Sequence, residues 1–273
     1  MSDNKYASLA LLCFGGSLAL SGLFYNLYRK KREEVQKLKE IPKVELNEDL
    51  INSIESLQPK QINYVAVEGI VLPDGEMLTS HYVPTCYGVI QKSIVQQNKK
   101  VFNKITNTWL VVPKMKNLQE TIKTVPFSLA ANSDYDTRVS VHVESPLTAM
   151  GFSLELVHSR LRFKDYFGHL LNMEKPWWLE EKEEMLKVGS TLTGFGELVL
   201  DSNRVLRLRP PMDGNKYMLI ISDYWSYLKQ QESSVMLCKV LTAVFGMTAA
   251  LSSLCFLIGS AMRPEVTGLI RMA

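Results

Sequence analysis

Charge disappears from two windows of this chain and is dense almost everywhere else. The first window runs from Tyr6 to Tyr28, "YASLALLCFGGSLALSGLFYNLY", and the second from Val240 to Met262, "VLTAVFGMTAALSSLCFLIGSAM". Each is about 23 residues, where a helix rising about 1.5 Å per residue needs roughly 20 to cross a bilayer core. Lys5 and the run Arg29-Lys30-Lys31-Arg32 bound the first window, and Lys239 and Arg263 bound the second. Tyr25 and Tyr28 stand where interfacial aromatics are expected. A cleaved signal peptide is the alternative for the first window, but Asp3 offsets Lys5 and the apolar run is long for that role. A buried soluble helix is the alternative for the second, which shows only Ser and Thr as a polar face. Both windows read as membrane spans.

About 210 residues lie between the windows, enough for a domain with its own core. A charged helical stretch from Arg29 to Glu40 is stopped by Ile41-Pro42, because proline disfavours helix in the residue before it. Asn47 then offers an N-cap to "EDLINSIESL", with Leu50, Ile51, Ile54 and Leu57 on one face and Glu48-Asp49 suiting the helix dipole. From about Tyr64 the period changes to two. "YVAVEGIVL", "CYGVIQKSIVQQ", "TNTWLVVP", "TVPFSL" and "TRVSVHVES" predict strands, the last placing Val139, Val141 and Val143 on one side. "STLTGFGELVLD" and "RVLRLRP" predict two more, joined by a turn at Asp201 to Asn203, and "KYMLIISD" a last one. Between them "DYFGHLLN" and "EKEEMLKV" read as short helical pieces. The predicted fold class is two transmembrane helices flanking an α+β domain dominated by antiparallel β, with a partly closed barrel as one form of it.

The 273 residues carry a formal charge of +3, too little for a nucleic-acid footprint. Four cysteines, Cys13, Cys86, Cys238 and Cys255, form no CxxC and no framework in the polar region, and the chain has no Asn-x-Ser/Thr sequon. Both absences suit a protein outside the secretory route.

Chemistry is scarce. His81, His142, His158 and His169 each stand alone, with no partner at a metal spacing. Gly194-x-Gly196 in "TGFGEL" lacks the third glycine of a dinucleotide loop, Val199 standing in its place, so these glycines read as a bulge or tight crossing in a strand. The run Glu180, Glu181, Glu183, Glu184 around Lys182 reads as a solvated helix start. Trp177-Trp178 cannot both face one core, so one of them suits either ordinary packing or a membrane or partner surface. No catalytic, cofactor-binding or metal-ligating residue is assigned, and a membrane-bound hydrolase finds no nucleophile, base or metal set.

At "EEMLKVGSTLTGFGELVLD", Glu183 to Asp201, the chain closely resembles the mitochondrial ubiquitin ligase activator of NF-kappaB family. The likeness extends to "VEG" at Val67 to Gly69, "GVIQ" at Gly88 to Gln91, "TVPF" at Thr124 to Phe127 and "QESSVMLCKVL" from Gln231. The resemblance implies a multi-pass protein of the mitochondrial outer membrane with cytosolic termini. It also implies a BAM/GIDE domain in the intermembrane space, and roles in fission, mitophagy, apoptosis and innate immunity. The positive-inside tendency of Arg29 to Arg32 would place that domain in the cytosol, but long loops obey the rule poorly. The implied organisation is span one at 6–28, a charged and amphipathic segment at 29–60, the BAM/GIDE domain at 61–232, span two at 240–262 and a tail at 263–273.

Relatives of this family carry a zinc-binding RING finger after the second span and act as E3 ubiquitin ligases. The residues after Met262, "RPEVTGLIRMA", contain no Cys and no His. The chain is therefore expected to bind no zinc and to be inactive alone, engaging an E2 enzyme only if a RING tail exists. The alternative function is a non-catalytic membrane adaptor. Expected partners are membrane lipid and further copies or full-length relatives, with no nucleic acid. The small residues Gly15, Ser17, Ala19 and Ser21 are the expected place of self-association.

Overall fold

The computed structural model describes residues 3–113, 119–131, 139–163 and 177–261, and divides into a helical unit and a strand-rich unit. The helical unit holds α1, Asp3–Glu40, and α3, which begins at Tyr224 and runs to Ala261. The charged stretch from Arg29 is thus continuous with the apolar window before it, and the helix ends where Pro42 requires. The two helices pack through Phe24 and Phe245, whose rings stack 5.6 Å apart and 3° from parallel. Ser21 Oγ donates to Thr242 O at 3.2 Å, beside Gly246, where a Cβ would sit 3.5 Å from that hydroxyl. Ser21 is therefore taken up inside the chain. Among the described residues one helical segment is long and apolar enough to cross a membrane, Tyr224–Cys255, with mean hydropathy 1.8. The other expected span is not found among them, because the window from Tyr6 begins on residues whose side chains lie outside those described.

The strand-rich unit spans Ile41–Tyr224. After β1 (Lys43–Val44), Asn47 caps α2 (Glu48–Glu55), its Oδ1 accepting from Leu50 N at 2.9 Å. Leu50 and Ile54 of α2 are buried in the core, while Leu57 lies past the helix end and is exposed. The remaining strands are β2 (Gln61–Pro73), β3 (Leu78–Thr79), β4 (Tyr87–Asn103), β5 (Thr108–Pro113) and β6 (Gln119–Thr124). They continue with β7 (Phe127–Ala130), β8 (Ser140–Val143), β9 (Glu155–Phe163) and β10 (Trp177–Lys187). Last come β11 (Thr191–Leu200), β12 (Leu206–Arg209) and β13 (Met218–Ile220).

Five of these strands close a ring. β2 pairs with β7, β7 with β8, β8 with β12, β12 with β11, and β11 returns to β2. Every pairing in the ring is antiparallel except β8 with β12. Counting ring strands in chain order gives 1-2-3-5-4-1 with strands 3 and 5 parallel, the order of an OB-fold barrel. Val65, Val67, Phe127, Leu129, Val141, Leu192, Leu206 and Leu208 fill the barrel and its surround, each at most 1% exposed. The alternation of Val139, Val141 and Val143 holds, all three being buried.

The second sheet grows out of this barrel in the order β3-β4-β10-β9, with β5 and β6 also pairing β4. Here the reading of "EKEEMLKV" as helix is overturned, since Trp177–Lys187 is one strand between β4 and β9. Acidic residues are poor strand formers, which is why the composition reads as helix. Neighbouring strands compensate: Glu184 lies opposite Lys92, and Glu181 lies opposite Arg160 and pairs with Arg162 at 3.1 Å. The companion segment "DYFGHLLN" lies outside the described residues.

Candidate functional site

Alternation along β10 turns Glu181, Glu183 and Met185 to one face of the second sheet and Glu180, Lys182 and Glu184 to the other. The second set is half-buried, with Lys182 Nζ paired to Glu180 Oε1 at 3.0 Å. On the first, Glu183 is fully buried, contrary to the reading of its run as solvated. Its carboxylate accepts from Ser80 Oγ, from His81 N at 3.0 Å and from Gln91 Nε2 at 2.6 Å, while His81 Nδ1 stands 3.0 Å from Oε1. Burial raises the pKa of such a carboxyl, but the hydrogen bonds from Ser80, His81 and Gln91 outweigh it and hold Glu183 down at about 2. Gln91 also reaches Thr79 O at 3.3 Å, and Ser80 Oγ accepts from the N–H groups of Tyr82 and Val83. One carboxylate thus ties the loop after β3 to β4 and β10. Tyr82 extends the tie, stacking on His158 at 4.3 Å and donating to Glu181 Oε2 at 3.3 Å.

A second cluster gathers Asp74, Ser128 and His142. Those are the residue types of a hydrolytic triad, but the connectivity differs from one. Ser128 Oγ donates to Asp74 Oδ1 at 2.6 Å, and His142 Nδ1 lies 2.7 Å from Asp74 Oδ2. The carboxylate sits between hydroxyl and imidazole, so the serine proton goes to Asp74 and no base faces the oxygen. Asp74 N also donates to Pro126 O, so the cluster pins the end of β2 to β7 and β8. Ser80 is no better a nucleophile, because its hydroxyl is committed to Glu183.

An open cavity of about 430 Å³ is lined by Met77, Thr85, Cys86, Tyr87, Lys187 and Val188. Lys187 Nζ donates across to Glu155 Oε1 at 2.7 Å. Among the described residues no group of three or more His, Cys, Asp or Glu is placed to hold a metal ion. His81 and His142 each meet a carboxylate, but those partners lie 102 and 68 positions away in sequence, beyond the reach of any spacing rule. His158 lies against Tyr82, and His169 is outside the described residues. Trp177 and Trp178 open β10, and their side chains are likewise outside those described.

The glycine pair behaves as its setting in a strand suggests. A Cβ on Gly194 would meet Leu208 Cδ2 at 2.4 Å, and one on Gly196 would meet Arg209 O at 2.8 Å. The β11–β2 register slips by one residue between Gly196 and Leu198. These glycines serve a crossing and a bulge.

Residues 99–255 match the family model described as GIDE, E3 ubiquitin ligase. Mitochondrial ubiquitin ligase activator of NFKB 1 from Homo sapiens is 40% identical over 250 residues, 90% of this chain and 70% of the relative. Its Danio rerio counterpart, 1-A, is 40% identical over 242 residues, covering 86% and 69%. Mitochondrial E3 ubiquitin protein ligase 1 from Drosophila melanogaster is 27% identical over 212 residues, covering 76% and 60%. No solved structure matches the chain.

Proposed function

We propose, since the chain belongs to the GIDE family of E3 ubiquitin ligases, that it works in protein ubiquitination at the mitochondrial outer membrane. The supporting observation is 40% identity across about nine-tenths of the chain to a relative named as a mitochondrial ubiquitin ligase activator. In this reading the windows from Tyr6 to Tyr28 and from Val240 to Met262 both cross the membrane. The barrel and its second sheet, within 61–232, face the intermembrane space, and both termini lie in the cytosol. Fission, mitophagy, apoptosis and innate immune signalling are the processes it would serve.

Protease added to intact mitochondria is then expected to spare the strand-rich unit, and to digest it only after the outer membrane is ruptured. Digestion in intact organelles would place that unit on the cytosolic side and sink the topology.

A second reading, a partner-binding adaptor, is favoured by the polar clusters. Glu183, Asp74 and Ser128 spend their hydrogen bonds on the protein itself, which suits a rigid binding scaffold. The two readings part in a reconstituted assay with E1, E2 and ubiquitin. These 273 residues alone are expected to give no conjugates above background, while co-purifying with a full-length relative from membranes. Conjugates that depend on the 273-residue form would favour the catalytic reading for this chain itself.

A further inference from the structure

β9 is the last strand of the second sheet: it pairs with β10, and its other edge has no strand on it among the described residues. Such an edge is a row of unpaired backbone N–H and C=O groups, and proteins commonly guard it with charges and bulges. β9 has both, in an unusual arrangement. The register against β10 slips at Val157, where Glu183 lies opposite His158 and Glu184 opposite Leu156. That slip brings Leu156 onto the same face as Ser159 and Leu161, although the leucines are five positions apart. Both leucines are more than half exposed. Glu155, Arg160 and Arg162 lie on the opposite face, and Glu155 and Arg162 are also more than half exposed.

Counting the bulge as one position makes the edge self-complementary. An antiparallel pairing of two such strands about a two-fold axis at Ser159 sets Leu156 opposite Leu161 of the second copy, twice. The same pairing sets Glu155 opposite Arg162, also twice. Neighbouring registers lose this match: a shift by one position of the partner crosses the faces, and a shift by two sets Glu155 opposite Arg160 but leaves the leucines unmatched. Opposite charges directly across a ladder stabilise it and like charges destabilise it, so the charges that repel other edges select this one.

We propose that the outer edge of β9, on which no described strand lies, joins two copies of this chain in an antiparallel pair centred on Ser159. The two second sheets become one continuous sheet, with an apolar stripe of four leucines on one face and two Glu155–Arg162 ion pairs on the other. This contact is independent of the functional reading above and of any contact between membrane helices.

The test uses the full chain in membranes with a crosslinker that bridges two thiols only a few ångströms apart. Ser159→Cys sets two thiols directly across the new ladder, with Cβ atoms about 5 Å apart. Lys182→Cys is the control, since Lys182 lies opposite Ser159 one strand further in. Two such cysteines would be separated by three strand spacings, about 14 Å. Crosslinked dimer is expected to be at least about tenfold greater for Ser159→Cys than for Lys182→Cys or the unaltered chain. Equal yields, or none at 159, would overturn the proposal. Glu155→Arg and Arg162→Glu, tested singly on the Ser159→Cys background, are each expected to weaken the dimer about tenfold, and the two together to restore it. Ser159, Glu155 and Arg162 are exposed, and the reversals break one ion pair each within the chain, to Lys187 and to Glu181, without entering the core. Retention of the dimer in both single reversals would overturn the pairing.

Discussion

Glu183→Ala is expected to destabilise the strand-rich unit by about 3–5 kcal/mol, since breaking a buried charged network leaves its donors without partners. Ser80 Oγ, the His81 N–H and the Gln91 amide all aim at that one carboxylate, and the two side chains are buried with it. Denaturant unfolding of the solubilised chain would measure the loss, and a change below about 1 kcal/mol would show that water replaces the carboxylate at no great cost. The same residue carries a pH signature. Its pKa is about 2 folded against an ordinary 4.5, so the ionised form stabilises the fold. That stability is whole above about pH 4.5 and fades as pH falls toward 2. The amount at stake is about 3 kcal/mol. Glu183→Gln is expected to flatten the stability profile between pH 4.5 and 2, whatever its effect at neutrality. An unchanged acid limb would assign acid sensitivity to other carboxylates.

Glu183 also marks where the sequence is legible and where it is not. Local rules read well: Asn47 is an N-cap, Pro42 ends a helix, and Val139, Val141 and Val143 share a buried side. Those signals sit within a few residues of what they cause. The ring closure from β11 to β2 joins residues more than a hundred positions apart, and no local period announces it. For β10 the local signal points the wrong way. Four glutamates and two lysines read as helix by propensity, and what favours a strand, such as the arginines of β9 and the lysine of β4 opposite them, lies on other segments. The candidate clusters share this difficulty. His81 meets Glu183, and His142 meets Asp74, because the barrel and its second sheet fold distant segments together. A scan for metal or triad spacing therefore passes over both. The family resemblance is legible above all in Glu183 to Asp201, a stretch that holds the end of β10 and all of β11.

Gly196→Ala is expected to cost about 2–4 kcal/mol, although it adds one methyl group to a chain that is extended there. That methyl would lie 2.8 Å from Arg209 O and about 3 Å from two carbons of the Tyr217 ring. Neither neighbour is free to move. Arg209 is paired with Glu197 on β11 itself, and Tyr217 is buried with its hydroxyl on Glu144 O at 2.8 Å. Relief would need β12 to part from β11, which opens the closed ring at the strand that meets three others. Gly75→Ala supplies the contrast. A Cβ there meets nothing within 4 Å, so the change is expected to be neutral or to stabilise by up to about 1 kcal/mol through the unfolded chain. Thermal unfolding of the two variants side by side separates a steric role from mere flexibility. If Gly196→Ala melts with the unaltered chain, β11 and β12 are less closely seated than the barrel requires. If Gly75→Ala falls as far as Gly196→Ala, crowding at the strand crossing is not what glycine is there to relieve.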